Sequence, residues 1–393
     1  MFMQICPALM DWIVFLVLFA VLYGAGERGF SGLQCAWIGG VGQLAYMVTS
    51  PLVGLVLTRH NARGLLLAGA AGSTVMGIVC LLWTSFAVQL ASQALLFVFL
   101  ALFFNSFQTF MRGETMPGGL AVTVGRYTLA WSVGSAAGFL SSGSLYGLGT
   151  LALCVMTLLV GTVILVALLR HQRRPHALPS ADEHVDALPG ARAVNVRYVL
   201  VGWCLVFTAM FVQRPVQSLW PAVCARTDIL PFLPGLVLSL HMLLQGVWGY
   251  RVAAFAAWRY RRTPLVVLHL AGAVLLGLAW LKPVFPMSAA VIVALGLYMG
   301  YAYFAAVYYA SNSGRRSLNI GVNECLVGLG SFAGLFAAQW GERLLGTDGG
   351  MYAVCGVALL VSLLIQVTLA SLRPPAAAEP AVLSPALPTR SRY

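Results

Sequence analysis

The chain has 393 residues, 60% of them hydrophobic and only 9% charged, and its mean hydropathy is +0.88. Water-soluble domains do not carry so apolar a composition, which excludes a free globular enzyme and places the chain in a membrane. The formal net charge of +12 does not mark a nucleic-acid binder, because the basic residues are spread along short loops between apolar runs.

A hydrocarbon core about 30 Å thick needs a helix of about 20 mostly apolar residues. About twelve such spans are predicted. Six lie near residues 8–29, 33–57, 64–85, 88–111, 121–146 and 148–170. Six more lie near 197–219, 232–257, 263–283, 287–312, 317–342 and 349–372. Of the 23 Lys and Arg residues, only Arg28, Arg226, Lys282 and Arg343 fall on one side of this arrangement. Arg214 lies within a span, and the rest fall on the side of both termini. That asymmetry predicts a multi-pass protein of the cell (inner) membrane with both termini cytoplasmic. The first run lacks a basic flank and a small-residue cleavage site, so it reads as a retained helix. The eight cysteines are dispersed without a CxxC pair. They read as buried thiols, with no disulfide framework and no metal site.

The one long polar stretch, residues 171–196, divides the spans six and six and holds Arg173, Arg174, Pro175, Asp182, Glu183 and Asp186. It reads as a flexible cytoplasmic linker. The expected organisation is an N-terminal six-helix bundle over 1–170, the linker over 171–196, a C-terminal six-helix bundle over 197–372, and a Pro- and Ala-rich disordered tail over 373–393. The bundles carry a faint repeat. At one constant offset Gly125, Gly134, Ser135, Ala137 and Gly138 of the fifth span match Gly321, Gly330, Ser331, Ala333 and Gly334 of the eleventh. Small residues four apart let helix backbones approach closely in lipid, and the equal position of the two segments points to two pseudo-symmetric halves.

Two six-helix halves in parallel orientation, joined by a basic loop, resemble the major facilitator superfamily over nearly the whole chain. The loop after the second span supports the resemblance. Gly54, Arg59 and Arg63 fit the family's Gly-x-x-x-Asp-Arg-x-Gly-Arg-Arg/Lys pattern, while Thr58 and Asn61 stand where the family has Asp and Gly. Arg259, Arg261 and Arg262 form a basic counterpart in the second half. The resemblance implies an all-α polytopic fold whose halves rock around a mid-membrane site, with spans 1, 4, 7 and 10 lining it.

On those spans Asn105 and Gln108 share one face of the fourth, Gln213 and Arg214 lie in the seventh with Thr208 and Gln217, and Tyr298, Tyr301, Phe304 and Tyr308 form a stripe on the tenth. His241 and Gln245 lie four apart on the eighth. The substrate-binding set expected is Asn105, Gln108, Gln213, Arg214, His241, Gln245, Tyr298 and Tyr301. Polar groups in lipid must face a cavity or each other, so interhelical hydrogen bonding, or plain packing for the tyrosines, stays open for each. Arg214 needs a partner: Glu27, a cavity water or an anionic solute. Outside linker and tail the acids are Asp11, Glu27, Glu114, Asp228, Glu324, Glu342 and Asp348, and none reads as lying at mid-depth. With Thr58 replacing the family's acid, Glu324 is expected to supply the negative charge of an inner gate with Arg59 or Arg63.

No Walker loop, GxGxxG, HExxH or GxSxG occurs, so the chain is not read as an enzyme and no cofactor is expected. The reading is a secondary active or facilitative transporter that moves a small polar or anionic organic solute by alternating access. Its expected partners are that solute and membrane lipid, without nucleic acid, and it is expected to act as a monomer. Two alternatives stay open. One is a multidrug/proton antiporter of the same fold, which the lack of a mid-depth acid and the Gly138-Phe139 pair, where such antiporters carry Gly-Pro, disfavour. The other is a transporter-like membrane sensor without flux.

Overall fold

The computed structural model describes residues 2–58, 61–111, 119–170, 192–311, 316–347 and 349–372. Six helices precede the long polar stretch: α1 (Phe2–Glu27), α2 (Gly32–Val56), α3 (Ala62–Leu82), α4 (Phe86–Met111), α5 (Gly119–Leu145) and α6 (Thr150–Arg170). Six follow it: α7 (Arg192–Arg226), α8 (Phe232–Ala254), α9 (Thr263–Leu281), α10 (Phe285–Ser311), α11 (Arg316–Leu345) and α12 (Gly350–Ser371). No strand occurs among the described residues. The helices alternate in direction, so the start of α1, the end of α6, the start of α7 and the end of α12 share one face, here termed the terminal face.

Every predicted span has its helix. The largest difference is α7, expected over 197–219, which continues through Pro215 and Pro221 to Arg226. Packed neighbours in a membrane protein re-satisfy the backbone groups that a proline frees, so proline does not end a helix there as it does in water. Because α7 also begins at Arg192, the last residues of the expected linker are helical; the remainder, 171–191, and the tail over 373–393 lie outside the described residues.

Among the described residues, eleven helices are long and apolar enough to cross a membrane, and α5 is the exception. Its serines, threonines and glycines lower its hydropathy, and its place explains them. It packs between α1 and α8, with Thr128, Ser132, Ser135 and Ser142 fully buried. A helix surrounded by protein is selected for close approach rather than for solubility in lipid.

The repeat between α5 and α11 has a structural counterpart. Gly134 and Gly138 bear on the backbone of α1 at Ala8 and Trp12, and Gly330 and Gly334 bear on the backbone of α7 at Phe207 and Phe211. A Cβ at any of the four would strike main-chain atoms. Hydrogen bonds fasten the first crossing, from Trp12 Nε1 to Ser141 Oγ at 2.8 Å and from Ser142 Oγ to the Leu16 carbonyl at 2.8 Å. Phe15 follows Trp12 by the same step as Arg214 follows Phe211. These equivalent residues meet between the halves, with the guanidinium 5.8 Å from the ring centroid.

The halves contact each other along α1 with α7, α2 with α11, and α5 with α8. The α5–α8 seam is built of small groups: Gly143 lies against Gly235, Ser132 against Gly246, Thr128 against Gly249 and Gly125 against Ala253. At the far face the Tyr23 hydroxyl donates to the Ile229 carbonyl at 2.6 Å. The eight cysteines are free, six of them buried and Cys204 and Cys325 half-buried.

Candidate functional site

A cavity of about 110 Å³ lies between the halves. The first half contributes Asp11 and Phe15 from α1, Gln43 and Tyr46 from α2, aromatic rings from α4, and Tyr127 and Trp131 from α5. The second contributes Gln213, Arg214 and Gln217 from α7, Tyr303 from α10, and Glu324 from α11. At about 30 Å³ per water, the volume equals roughly three or four waters.

Arg214 is 8% exposed. Its Nε donates to Ser331 Oγ at 3.5 Å, and its Nη1 is buried without a partner. Of the three partners left open for Arg214, Glu27 does not pair with it. Glu27 lies at the far end of α1, where it accepts from the Tyr146 hydroxyl at 2.6 Å. The acid within the field of Arg214 is Asp11. That corrects the expectation that no acid lies at depth. The helix begins at Phe2 rather than near residue 8, which places Asp11 about 14 Å along α1 at about 1.5 Å per residue. Asp11 is 9% exposed and makes no hydrogen bond or ion pair among the described residues.

Glu324 also lines the cavity, and its Oε2 accepts from the Tyr46 hydroxyl at 3.1 Å, joining α11 to α2. The expected gate pair with Arg63 is absent. Arg63 Nη2 instead donates to the Leu168 and Leu169 carbonyls at 3.5 and 3.1 Å, capping the end of α6, where a cation meets the negative pole of the helix. Arg59 lies outside the described residues. Thr58 and Asn61, the departures from the family loop pattern, have a local role. The Thr58 N–H donates to Asn61 Oδ1 at 2.7 Å and the Asn61 N–H donates to Thr58 Oγ1 at 3.3 Å, which tightens the turn into α3.

Gln213 reaches the cavity, and His241 and Gln245 lie behind it. Its Nε2 donates to Gln245 Oε1 at 2.6 Å and meets His241 Nε2 at 3.2 Å. His241 Nδ1 lies 2.7 Å from the Ile292 carbonyl. A carbonyl only accepts, so Nδ1 carries the proton and Nε2 is left to accept from Gln213. His241 therefore holds the amide in place.

Of the other expected residues, Asn105, Tyr298 and Tyr301 point elsewhere. Asn105 Nδ2 donates to the Ala101 carbonyl of its own helix at 2.8 Å, and the side chain of Gln108 lies outside the described residues. Tyr298 bonds to His269 at 3.2 Å inside the second half, and Tyr301 packs edge-on to Trp258 with centroids 6.1 Å apart. Phe304 and Tyr308 surround the same indole. The α10 tyrosine on the cavity is Tyr303, on the other side of the helix, edge-on to Trp131 at 4.8 Å.

Besides Asp11 and Tyr303, the sequence reading missed Gln43, Tyr46, Tyr127 and Trp131. Their spacing carried a signal, three apart on α2 and four apart on α5, but those helices were not among the ones expected to line the site.

A family model described as Major Facilitator Superfamily matches residues 1–335. No curated protein matches the chain. Among solved structures the chain is similar to the nucleoside transporter NupG, with a TM-score of 0.63 and 11% identity over 95% of this chain and 100% of that one. It is similar to the human organic anion transporter MFSD10 (TETRAN), with a TM-score of 0.61 and 15% identity over 93% of this chain and 98% of that one. A bacterial homologue of the human lysosomal transporter Spinster, inward-facing and unoccupied, gives 0.61 and 14% over 94% and 95%. At these identities the likeness shows the fold.

Proposed function

The chain belongs to the major facilitator superfamily, a family of membrane transporters rather than enzymes, and on that premise we propose that it moves a small polar organic solute across the membrane by alternating access. One observation carries the proposal: charged groups from both halves, Asp11 on α1, Arg214 on α7 and Glu324 on α11, line a single cavity at the interface between the halves. A site shared in this way changes shape whenever one half rocks against the other.

The cavity holds two acids and one arginine, which weighs against a simple anion as the solute. It also gives the antiporter reading a specific support, because Asp11 is a buried carboxyl group without a hydrogen bond and such groups in membranes serve proton relays. Both termini and the linker are proposed to face the cytoplasm, from the distribution of basic residues. The test is solute exchange in proteoliposomes with a panel of sugars, nucleosides, amino acids, carboxylates and amines. Wild-type protein moves at least one class, and Asp11→Asn and Arg214→Gln abolish that flux while their thermal unfolding stays cooperative. No flux of any class, or full flux in both variants, refutes the proposal.

A further inference from the structure

We propose that the solute is a zwitterion whose anionic group is held by Arg214, Gln43 and Trp131 and whose ammonium group is held by Asp11. This rests on the transporter reading and names the solute class of that same cavity. Three N–H groups on the cavity wall are buried without a partner: Arg214 Nη1, Gln43 Nε2 and Trp131 Nε1. They come from α7, α2 and α5, and therefore from both halves. A guanidinium and an indole donate and never accept, so this wall asks for an acceptor. A carboxylate has about four lone-pair sites on two oxygens and meets all three donors, one of them cationic.

Asp11 lines the same cavity with the opposite need. Its carboxylate only accepts, and it has no hydrogen bond. An ammonium group brings the three donors that Asp11 lacks, with a positive charge to add to the field of Arg214. Glu324 differs, since Tyr46 already donates to it. A solute with only a negative charge would set that charge beside Asp11 and leave Asp11 unpaired. A solute with only a positive charge would leave the three donors empty and face Arg214. A solute carrying both charges satisfies each wall, replacing cavity water group for group.

The experiment uses the full-length purified protein and two matched sets: alanine with propionate and ethylamine, and phenylalanine with 3-phenylpropionate and 2-phenylethylamine. Thermal unfolding is followed against concentration, since a ligand of the folded state raises the midpoint by mass action. At least one zwitterion is expected to bind tenfold or more tightly than either of its single-charge relatives. Trp131→Phe and Gln43→Leu, which delete unpaired buried donors, are expected to weaken that binding about tenfold without lowering the midpoint of the ligand-free protein. A group kept only for structure would show the reverse pattern. Equal binding by an anion or a cation alone, unchanged binding in both variants, or no binding of either zwitterion overturns the inference. If sugars or nucleosides move in proteoliposomes while neither zwitterion binds, the inference falls and the transporter reading stands; if nothing moves and nothing binds, both fall.

Discussion

The hydrogen bond from Tyr46 to Glu324 links α2 to α11 at the cavity, and removing it by Tyr46→Phe should move the conformational equilibrium. The ring is kept, so no void is created and only the hydroxyl is lost. A hydrogen bond to a charged group contributes about 1.5–3 kcal/mol net. The O–O distance of 3.1 Å is long for such a bond and places this one at the lower end. At about 1.4 kcal/mol per tenfold change, the ratio of open to closed molecules at the terminal face should rise on the order of tenfold. Spin labels at Asn61 and Arg261, both exposed and in different halves, report the opening as growth of a longer-distance population in pulsed EPR. A second pair at Arg28 and Leu230 watches the far face, where both residues are also exposed. An unchanged Asn61–Arg261 distribution, or widening confined to the far pair, would show that this bond does not hold the terminal face closed.

Three further outcomes are expected. Gly334→Leu forces a side chain into the Phe211 backbone and should destabilise the protein by about 1–3 kcal/mol or more, read as a lower unfolding midpoint, whereas Gly321→Ala, which meets nothing within 4 Å, should leave it unchanged. His241→Leu removes the acceptor behind Gln213 and should cost about 1–3 kcal/mol of stability; in the opposing case, a loss of pH-dependent transport at unchanged midpoint would make His241 a proton carrier. Cysteines placed at Ser180 and Ser384 should resist a membrane-impermeant thiol reagent in intact cells, and efficient labelling of either would reverse the proposed orientation.

The helices were legible because lipid imposes one simple rule on every span, and the rule misled only where protein replaced lipid. The predicted seventh span stopped near residue 219, although packed neighbours let α7 run on through Pro221 to Arg226. The glycines shared by α5 and α11 were legible as a repeat because close backbone crossings tolerate so few residue types. The site was harder. Arg214 and Gln213 stood out as polar groups deep in an apolar run, and both reach the cavity. Asp11 was hidden by a helix start set six residues too late. On α10 the tyrosines offer more than one face, and a helix apolar on all sides gives no periodic cue to which one meets the cavity. Packing decided for Tyr303 and buried Tyr298 and Tyr301 elsewhere. Charge suggested an arginine for Glu324: Arg63 caps α6 instead, Arg59 lies outside the described residues, and a tyrosine, which charge does not suggest, donates to Glu324 across the interface.

The seam between α5 and α8 has a mechanical consequence. Where Gly143 meets Gly235 and Ser132 meets Gly246, the contact is made mainly by small groups, with Leu129 of α5 beside Gly246. Interlocked side chains must be withdrawn before two helices can turn on each other, because packed interiors yield in steps; a smooth contact has no teeth to disengage. In the proposed alternating access this line would be the bearing on which the halves swing. Resistance to the swing is concentrated at α2 and α11, where aromatic rings and the Tyr46–Glu324 bond must part. Substitutions that roughen the bearing should slow movement in both directions alike, while substitutions at the opposite contact should favour one direction over the other.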